Sequence, residues 1–306
     1  MPVRAVYSGM KFTSAPGVVV LVAGLAAGGC TVTVDSQSQI SREEKRFTVS
    51  GAPDVRLATF DGSIQIQSWD KPDVLVEIEK RGSTRESVDA LKVTAEQHGN
   101  TIEVEVKGPA RESFSGIGFH QSASARLIVS LPRRSDVRAR SGDGSIRIER
   151  VNGRIELRSG DGGIRATDVS GELSLNTSDG TITVAGAEGR LDLDTGDGGV
   201  NVNGKLTSVR LHTGDGSIVY RAEPGSAMED NWEISTGDGS VSLFLPPDFN
   251  ADLDVHTGDG SIRNELQVTA EGAGEVNRRT IRGKLNSGGR LLRVRTGDGS
   301  VRLRES

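Results

Sequence analysis

The chain has 306 residues and a net charge of −5 at pH 7; 34% of its residues are apolar, 26% are charged and 4% are aromatic. With so few aromatic residues, its core must be built from small aliphatic side chains. Basic and acidic residues are mixed along the chain, so the composition indicates neither a basic patch for nucleic acid nor an acidic tail for a basic partner.

The first 29 residues have the pattern of an export signal. Arg4 and Lys11 precede the apolar stretch "GVVVLVAGLAAGG", which is too short to span a bilayer and ends directly before Cys30, the single cysteine. The sequence "LAAGGC" resembles a bacterial lipobox, which implies that Cys30 is lipidated and becomes the first residue of the mature protein. A plain secretory signal with a chance cysteine is the alternative.

Lipidation of Cys30 predicts a protein of the bacterial cell envelope, held outside the cytoplasm by a lipid anchor in the membrane. Because Thr31 and not aspartate follows the cysteine, the expected location in a Gram-negative host is the outer membrane. Residues 30–45 are polar and have no core-forming pattern, so we expect a tether there.

Residues 46–140 form a less regular region that is predicted to be β-rich. Strands are indicated by "RFTVS", "VRLATF", "SIQIQSW", "VLVEIEK" and "RLIVSLP". Ser83 and Glu86 form a capping-box pattern before one short helix, and a hairpin is expected to turn at Gly99.

The Gly/Ser-rich segment 108–122 carries three apolar side chains, those of Phe114, Ile117 and Phe119. We expect this segment to fold back onto the sheet. An exposed apolar contact loop is the alternative, since such patches often mark interaction sites.

Residues 141–306 contain an internal repeat, in which an aspartate lies two residues after a serine or threonine and, in every copy except that of Asp179, between two glycines. The first five of these aspartates follow one another at intervals of 18 residues, and the later intervals are 23, 21 and 39 residues. Asp61 belongs to an outlying ninth copy. The eight corner aspartates of the repeat region are Asp143, Asp161, Asp179, Asp197, Asp215, Asp238, Asp259 and Asp298.

Alignment of the copies shows which side chains point inward, because side chains in a strand alternate between its two faces. The column that begins at Ile146 is aliphatic in every copy, so it is predicted to be buried; Ile182 and Leu193 are expected in the core, and Arg165 and Arg302 in solvent. The serine or threonine before each corner is expected to be half-buried. The column just before it varies freely and includes His212 and His256.

Two all-β architectures fit units of two short strands. In an antiparallel meander, the aspartate corners would be hairpin turns. In a β-solenoid, each unit of about 18 residues is one rung, and its two strands face each other across a thin core. The solenoid is favoured because a long meander leaves an apolar face uncovered, and the repeat region has no amphipathic helix to cover it. The interval of 39 residues is expected to hide a degenerate rung, with "NSGG" in place of the corner.

The segments "RLIVSLPRRSDVRARSGDGSIRIERVNG" and "RTIRGKLNSGGRLLRVRTGDGSVRLRES" resemble a bacterial family of β-strand repeats of unknown function that carries an adhesin label. The resemblance runs from about Arg46 to the C-terminus. It implies an envelope-associated β-solenoid, and it provides no catalytic residues to assign.

The function favoured by these patterns is a non-enzymatic one, in which a rigid solenoid serves adhesion, binding or scaffolding with an unknown envelope protein or polysaccharide. No cofactor or nucleic acid is expected. A polysaccharide-acting enzyme is less favoured, because one carboxylate per rung is a turn pattern and does not make a local acid/base pair. His212 and His256, two rung steps or about 10 Å apart, would be too distant to share a zinc ion.

The corners themselves are assigned to structure. Glycine permits positive φ and close backbone approach, and the aspartate carboxylate is expected to accept a hydrogen bond from the amide two residues on. The alternative is a calcium-binding repeat protein in which the row of corner carboxylates binds the ion weakly.

Overall fold

In the computed structural model of the protein, residues 39–108, 123–270 and 278–306 are described. The part before the repeats contains eight strands and one helix. The N-terminal elements are β1 (Gln39–Thr48), β2 (Asp54–Thr59), β3 (Ile64–Trp69), β4 (Asp73–Gly82), α1 (Arg85–Asp89), β5 (Lys92–His98), β6 (Thr101–Lys107), β7 (Ala123–Pro132) and β8 (Asp136–Ser141).

The repeats give short strands joined by two kinds of corner. The central elements are β9 (Ile146–Glu149), β10 (Asn152–Ser159), β11 (Ile164–Thr167), β12 (Ser170–Thr177), β13 (Ile182–Thr195), β14 (Val200–Thr213), β15 (Ile218–Ala222), β16 (Trp232–Thr236) and β17 (Val241–Leu245). The C-terminal elements are β18 (Ala251–Thr257), β19 (Ile262–Asn264), β20 (Val268–Ala270), β21 (Thr280–Leu285), β22 (Leu291–Thr296) and β23 (Val301–Glu305).

The strands form two parallel stacks, and each rung contributes one strand to each stack. Stack A contains β6 and the strands that enter the aspartate corners, and stack B contains β7 and the strands that leave them. In spatial order, stack A is β6, β2, β8, β10, β12, residues 188–195 of β13, residues 208–213 of β14, β16, β22 and β18. Stack B is β7, β3, β9, β11, residues 182–185 of β13, residues 200–204 of β14, β15, β17, β23 and β19. This parallel pairing confirms the all-β solenoid.

The order of rungs differs from chain order at both ends. The rung of β2 and β3 lies between that of β6 and β7 and that of β8 and β9. The C-terminal rung, β22 and β23, lies between the rung of β16 and β17 and that of β18 and β19. Asp61 is therefore not an outlier, because its corner lies next to that of Asp143. The boundary predicted at residue 140 falls within the stack.

Antiparallel strands cover both ends of the solenoid. β5 pairs with β6, while β4 pairs with β7 and β1 pairs with β4. At the other end, β21 pairs with β18 and β20 pairs with β21. The long interval between the last aspartates in the sequence thus contains a capping hairpin, so the prediction of a degenerate rung there was wrong. Residues 286–289 form the turn between β21 and β22.

Two local predictions at the N-terminal end need correction. The helix is present, but its N-cap is Thr84, whose hydroxyl accepts from the amide of Ser87 while the Ser87 hydroxyl accepts from the amide of Thr84. Residues 39–45 of the expected tether lie in β1 instead, where they pair with β4. The hairpin of β5 and β6 turns at Gly99 as predicted, with φ of 63°. No helix in the described part of the chain is long and apolar enough to cross a bilayer.

The interior follows the aliphatic columns. Ile182 and Leu193 are fully buried, and Arg165 and Arg302 are exposed, as predicted. Three aromatic side chains lie near the C-terminal end of the core: Trp232 contacts Tyr220 at 5.6 Å and Phe249 at 5.1 Å between ring centroids. Burial raises the pKa of the Tyr220 hydroxyl. The solenoid is therefore wide enough at this end to hold an aromatic cluster.

Candidate functional site

The hydroxyl side chains before the aspartate corners are more deeply buried than predicted. Their exposed fraction ranges from 0% at Thr213 to 8% at Ser141. The buried corner hydroxyls belong to Thr59, Ser141, Ser159, Thr177, Thr195, Thr213, Thr236, Thr257 and Thr296.

Among the described corners, six hydroxyls of this series link their own corner to the neighbouring rung, whereas those of Thr177 and Thr195 bond only to the neighbouring rung and that of Thr59 only to its own corner. Thr213 Oγ1 accepts a hydrogen bond from the amide of Gly216 at 3.2 Å and donates to the carbonyl of Gly198 at 3.0 Å. Thr236 repeats the arrangement one rung further, with 2.8 Å to the carbonyl of Gly216. A small side chain with one donor and one acceptor is required at this position, which explains the serine or threonine in every copy.

The corner glycines are required for close approach between rungs. A Cβ atom on Gly216 would lie 2.0 Å from the carbonyl oxygen of Gly198, and one on Gly299 would lie 1.9 Å from that of Gly239. Positive φ was expected at these glycines, but among the described aspartate corners only Gly62 has it. The left-handed residues lie mainly at the opposite corners, as at Gly171 and Gly189, with φ of 115° and 110°.

The corner aspartates form one row along an edge of the solenoid. The eight of the repeat region are exposed, and Asp61 is half-buried at one end of the row. The expected bond from each carboxylate to the amide two residues on is absent from the described corners, and the hydroxyl series holds the turn instead. Asp259 is 3.4 Å from Arg279.

The residues considered as metal ligands do not converge. Within the described ranges there is no group of three or more His, Cys, Asp or Glu side chains that could hold a metal ion. The inserted C-terminal rung also increases the separation of His212 and His256 from two rung steps to three, about 14 Å. Their Nδ1 atoms lie within hydrogen-bond distance of Ser235 Oγ and Thr280 Oγ1, respectively.

Four other predicted residues, namely Cys30, Phe114, Ile117 and Phe119, lie outside the described residues. Lipidation and the apolar contact loop therefore stay predictions.

A cleft on the outer surface of stack A, here called face A, was not predicted. It has a volume of about 500 Å³ and crosses β10, β12, residues 188–195, residues 208–213, β16 and β22. The short side chains of Ser174 and Ser208 lie in it, between longer charged ones. The cleft forms because the outward side chains of neighbouring rungs differ in length.

The arginines of this cleft are paired with carboxylates of other rungs. Arg154 Nε is 3.0 Å from Glu172 Oε2, and Arg210 Nη1 is 3.2 Å from Asp192 Oδ2. Arg190 Nη1 lies 3.0 Å from Asp230 Oδ2, in the loop before β16. The cleft therefore presents alternating positive and negative groups to solvent, with donors and acceptors for a polar ligand.

Beyond the cleft, Asp254 joins three segments of the chain. Its carboxylate accepts from Arg295 of the C-terminal rung and from Arg282 of the capping hairpin, the latter at 3.3 Å. Burial alone would raise the pKa of Asp254, but the hydrogen bonds and charges of the two arginines outweigh it and hold the pKa below its ordinary value. The sequence shows these residues only as outward positions of separate strands.

The family model of the Toastrack DUF4097 domain matches residues 54–304. This chain belongs to the Toastrack DUF4097 family. The match includes β2 and β3, the first of the aspartate-corner rungs, and ends in the inserted C-terminal rung. It agrees with the resemblance to a β-strand repeat family of unknown function.

Several solved structures are similar to this Toastrack chain. A putative cell adhesion protein from Clostridium sporogenes is 12% identical, covers 88% of this chain and 100% of its own, and has a TM-score of 0.31. A putative adhesin from Bacteroides fragilis is 11% identical, with coverages of 86% and 97% and a TM-score of 0.40. A putative lipid binding protein from Parabacteroides distasonis is 10% identical, with coverages of 86% and 96% and a TM-score of 0.38. Among curated proteins, none gives a significant match.

Proposed function

We propose that this Toastrack chain is a non-enzymatic lipoprotein of the bacterial cell envelope, whose rigid solenoid binds an envelope protein or polysaccharide in adhesion or scaffolding. The observation that supports it is the contrast within each rung. Inward side chains and corners repeat from rung to rung, whereas outward side chains vary and form the cleft on face A. Variable outward side chains on a constant set of rungs are suited to a binding surface.

The distribution of ionisable groups supports a non-enzymatic role. An acid/base or nucleophilic site needs a few ionisable groups in close contact, and the pKa of one of them is shifted away from those of its partners. Here the corner carboxylates recur once per rung, and the Asp254 carboxylate is held by arginines. The cleft arginines are likewise paired with carboxylates.

A capture experiment tests the binding role. The full chain, purified from membranes in detergent, is immobilised and incubated with polysaccharide and protein fractions of the envelope. We expect a specific partner to be captured, and the double variant Arg190→Ser with Arg210→Ser to lose it. A matched variant, Arg85→Ser with Arg133→Ser, removes two exposed arginines elsewhere and should keep it.

Two results would contradict the proposal. Equal loss of the partner in both double variants would show that the cleft is not the binding surface. Release of soluble fragments from a glycan fraction, lost in a cleft variant, would show an enzyme in place of a binding protein.

The membrane anchor is tested through Cys30. In cells given a radioactive fatty acid, the wild-type chain should be labelled and should sediment with membranes. Cys30→Ala should carry no label and should be found as a soluble protein or as an unprocessed precursor. Thr31→Ser should behave like the wild type. Unchanged labelling of Cys30→Ala would exclude lipidation at this cysteine.

A further inference from the structure

The outer surface of stack B from β9 to β19, here called face B, is basic. Its strands carry six outward-pointing arginines, against two exposed or half-buried carboxylates, Glu149 in β9 and Glu305 at the end of β23. The arginines of face B are Arg147, Arg165, Arg221, Arg263, Arg302 and Arg304. Such a surface is unexpected on a chain whose net charge is −5.

Arginines of face B differ from those of the face A cleft in their partners. Arg304 is 3.1 Å from Glu265, which directly follows β19. For the other five arginines, no carboxylate of the described residues lies within 4.0 Å, whereas Arg154, Arg190 and Arg210 of the cleft are all paired. Glu149 is two residues from Arg147 on the same strand and makes no ion pair with it. Within the described ranges, five of the six arginines of face B therefore carry positive charge that no carboxylate pairs with.

Two pairs of these arginines are neighbours in adjacent rungs. Arg165 is in register with Arg147, and Arg302 is in register with Arg263. Strands in register are about 4.8 Å apart, so each pair holds two like charges that repel one another in the free protein. An anionic group bound between the two guanidinium groups removes this repulsion and accepts hydrogen bonds from both.

An aromatic ring adds to the second of these clusters. The guanidinium group of Arg221 lies 4.1 Å from the centroid of the Phe244 ring. Phe244 is in register with Arg221 on one side and with Arg304 on the other. Stacking fixes the plane of the guanidinium group and leaves its N–H groups at the edge of that plane free to donate. The cluster thus presents oriented donors to a ligand.

The shape of face B favours a linear ligand. The basic surface is about two side chains wide, since each short strand has two outward positions. The row of exposed corner aspartates follows one of its long edges. A flat anionic bilayer would also meet these aspartates and be repelled, whereas a single chain running along the solenoid axis would not.

We propose that face B binds a linear acidic polysaccharide along the solenoid axis. Its carboxylate groups are received by the pair of Arg147 and Arg165 and by the cluster around Arg302 and Arg263. Five rung steps separate Arg165 from Arg302, so the ligand must span about 24 Å to reach both. This assignment rests on the proposed function, for which it names a class of partner and a second surface.

Titration of the full chain with polygalacturonate at low salt tests the assignment. We expect binding that weakens as salt is added, and that is at least about tenfold weaker for the double variant Arg263→Ser with Arg302→Ser. The matched control Arg85→Ser with Arg133→Ser changes the net charge equally and should bind within about twofold of the wild type. Digalacturonate, which cannot span the two clusters, should bind far more weakly than the polymer. Equal melting temperatures of the variants establish that they are folded.

Three results would overturn the assignment. They are an absence of binding to polygalacturonate, an equal loss in the two double variants, and tighter binding to phosphatidylglycerol vesicles than to polygalacturonate that the double variant Arg263→Ser with Arg302→Ser, which keeps Cys30, loses. The last would identify a bilayer surface as the partner. Capture of an envelope partner through the face A cleft is measured separately, so failure here leaves the proposed function testable on its own.

Discussion

The central rungs and the two ends of this solenoid follow different rules of assembly. From β8 to β17, each rung lies on the one that precedes it in the chain. At the ends, the order differs. The rung of β2 and β3 and the rung of β22 and β23 are each inserted between two rungs that follow one another in the chain.

The corners explain why both arrangements are compatible with one core. The rungs with aspartate corners present similar carbonyls on one side and a corner hydroxyl on the other, as Thr296 does to Gly239 and Thr257 does to Gly299. The pairing chemistry is therefore similar for most pairs of these rungs. The spatial order of the rungs then depends on the length of the connections. A short connection, as in the central units, places a rung next to the preceding one, and a long connection allows the chain to return past a neighbouring rung.

Removal of residues 291–306 is the most severe test of the difference between the central rungs and the ends. Because the inserted rung separates β16 and β17 from β18 and β19, its loss leaves two inner rung surfaces without partners. We expect the C-terminal third to lose its cooperative unfolding transition and to become sensitive to protease. Removal of residues 305 and 306 alone should change little. A truncated protein that melts like the full chain would show that this rung lies at an end.

Large-to-small changes in the core compare the two regions directly. Leu303 in the C-terminal strand and Ile182 in the centre are both fully buried. Truncation of either to alanine should lower the free energy of unfolding by about 2–5 kcal/mol, because each leaves a cavity. Arg165→Ala is the exposed control. Chemical denaturation that gives less than about 1 kcal/mol for Leu303→Ala alone would indicate a frayed terminal strand, contrary to the insertion.

Corner glycines should be equally sensitive in both regions. Gly216→Ala and Gly299→Ala each place a Cβ within 2.0 Å of a carbonyl oxygen of the next rung, so each should cost about 3 kcal/mol of stability. Gly199 provides the control, since a Cβ there lies 3.9 Å from its nearest neighbour and other copies have serine or threonine at that position. Thermal unfolding of the three variants measures the difference. Similar melting temperatures for all three would refute close packing of the corners.

The ion-pair centre at Asp254 is specific to the C-terminal end, and its contribution should depend on pH. Asp254→Asn should lower stability by about 1–2 kcal/mol at neutral pH. Since the folded-state pKa lies below the unfolded value, the stabilisation is present above the unfolded pKa and is lost as the pH falls through the folded pKa. The gap between wild type and variant, measured by urea unfolding, should be constant from about pH 5 to 8 and should narrow below about pH 4. A gap that widens in acid would contradict this role.

The smallest effect is expected along the row of aspartates, which runs through both regions. Exposed carboxylates about 5 Å apart repel by less than about 1 kcal/mol per pair, so Asp197→Asn with Asp215→Asn should leave stability unchanged or slightly higher. Melting curves of the wild type in excess calcium and in chelator should coincide. A rise of several degrees with calcium that the double variant lacks would assign a calcium site to these corners.

Repetition made the core predictable. The column of Ile146, Ile164 and Ile182 could be assigned to the interior because side chains alternate along a strand, and the repeat shows that alternation many times. The serine or threonine before each corner could be recognised as special for the same reason. Its two hydrogen bonds could not be inferred, because one of them reaches into another rung.

The sequence by itself determined the strands, the inward columns, the corners and the rung length, since these depend on local turn chemistry and on a period of two residues. Only the tertiary structure decided that Asp61 lies beside Asp143 and that the C-terminal rung precedes β18 in space. It also decided that Arg302 lies beside Arg263 without a carboxylate partner among the described residues, whereas Arg210 has Asp192. Nearly identical rungs have nearly identical pairing surfaces, so their order is settled by long-range contacts that no single repeat encodes.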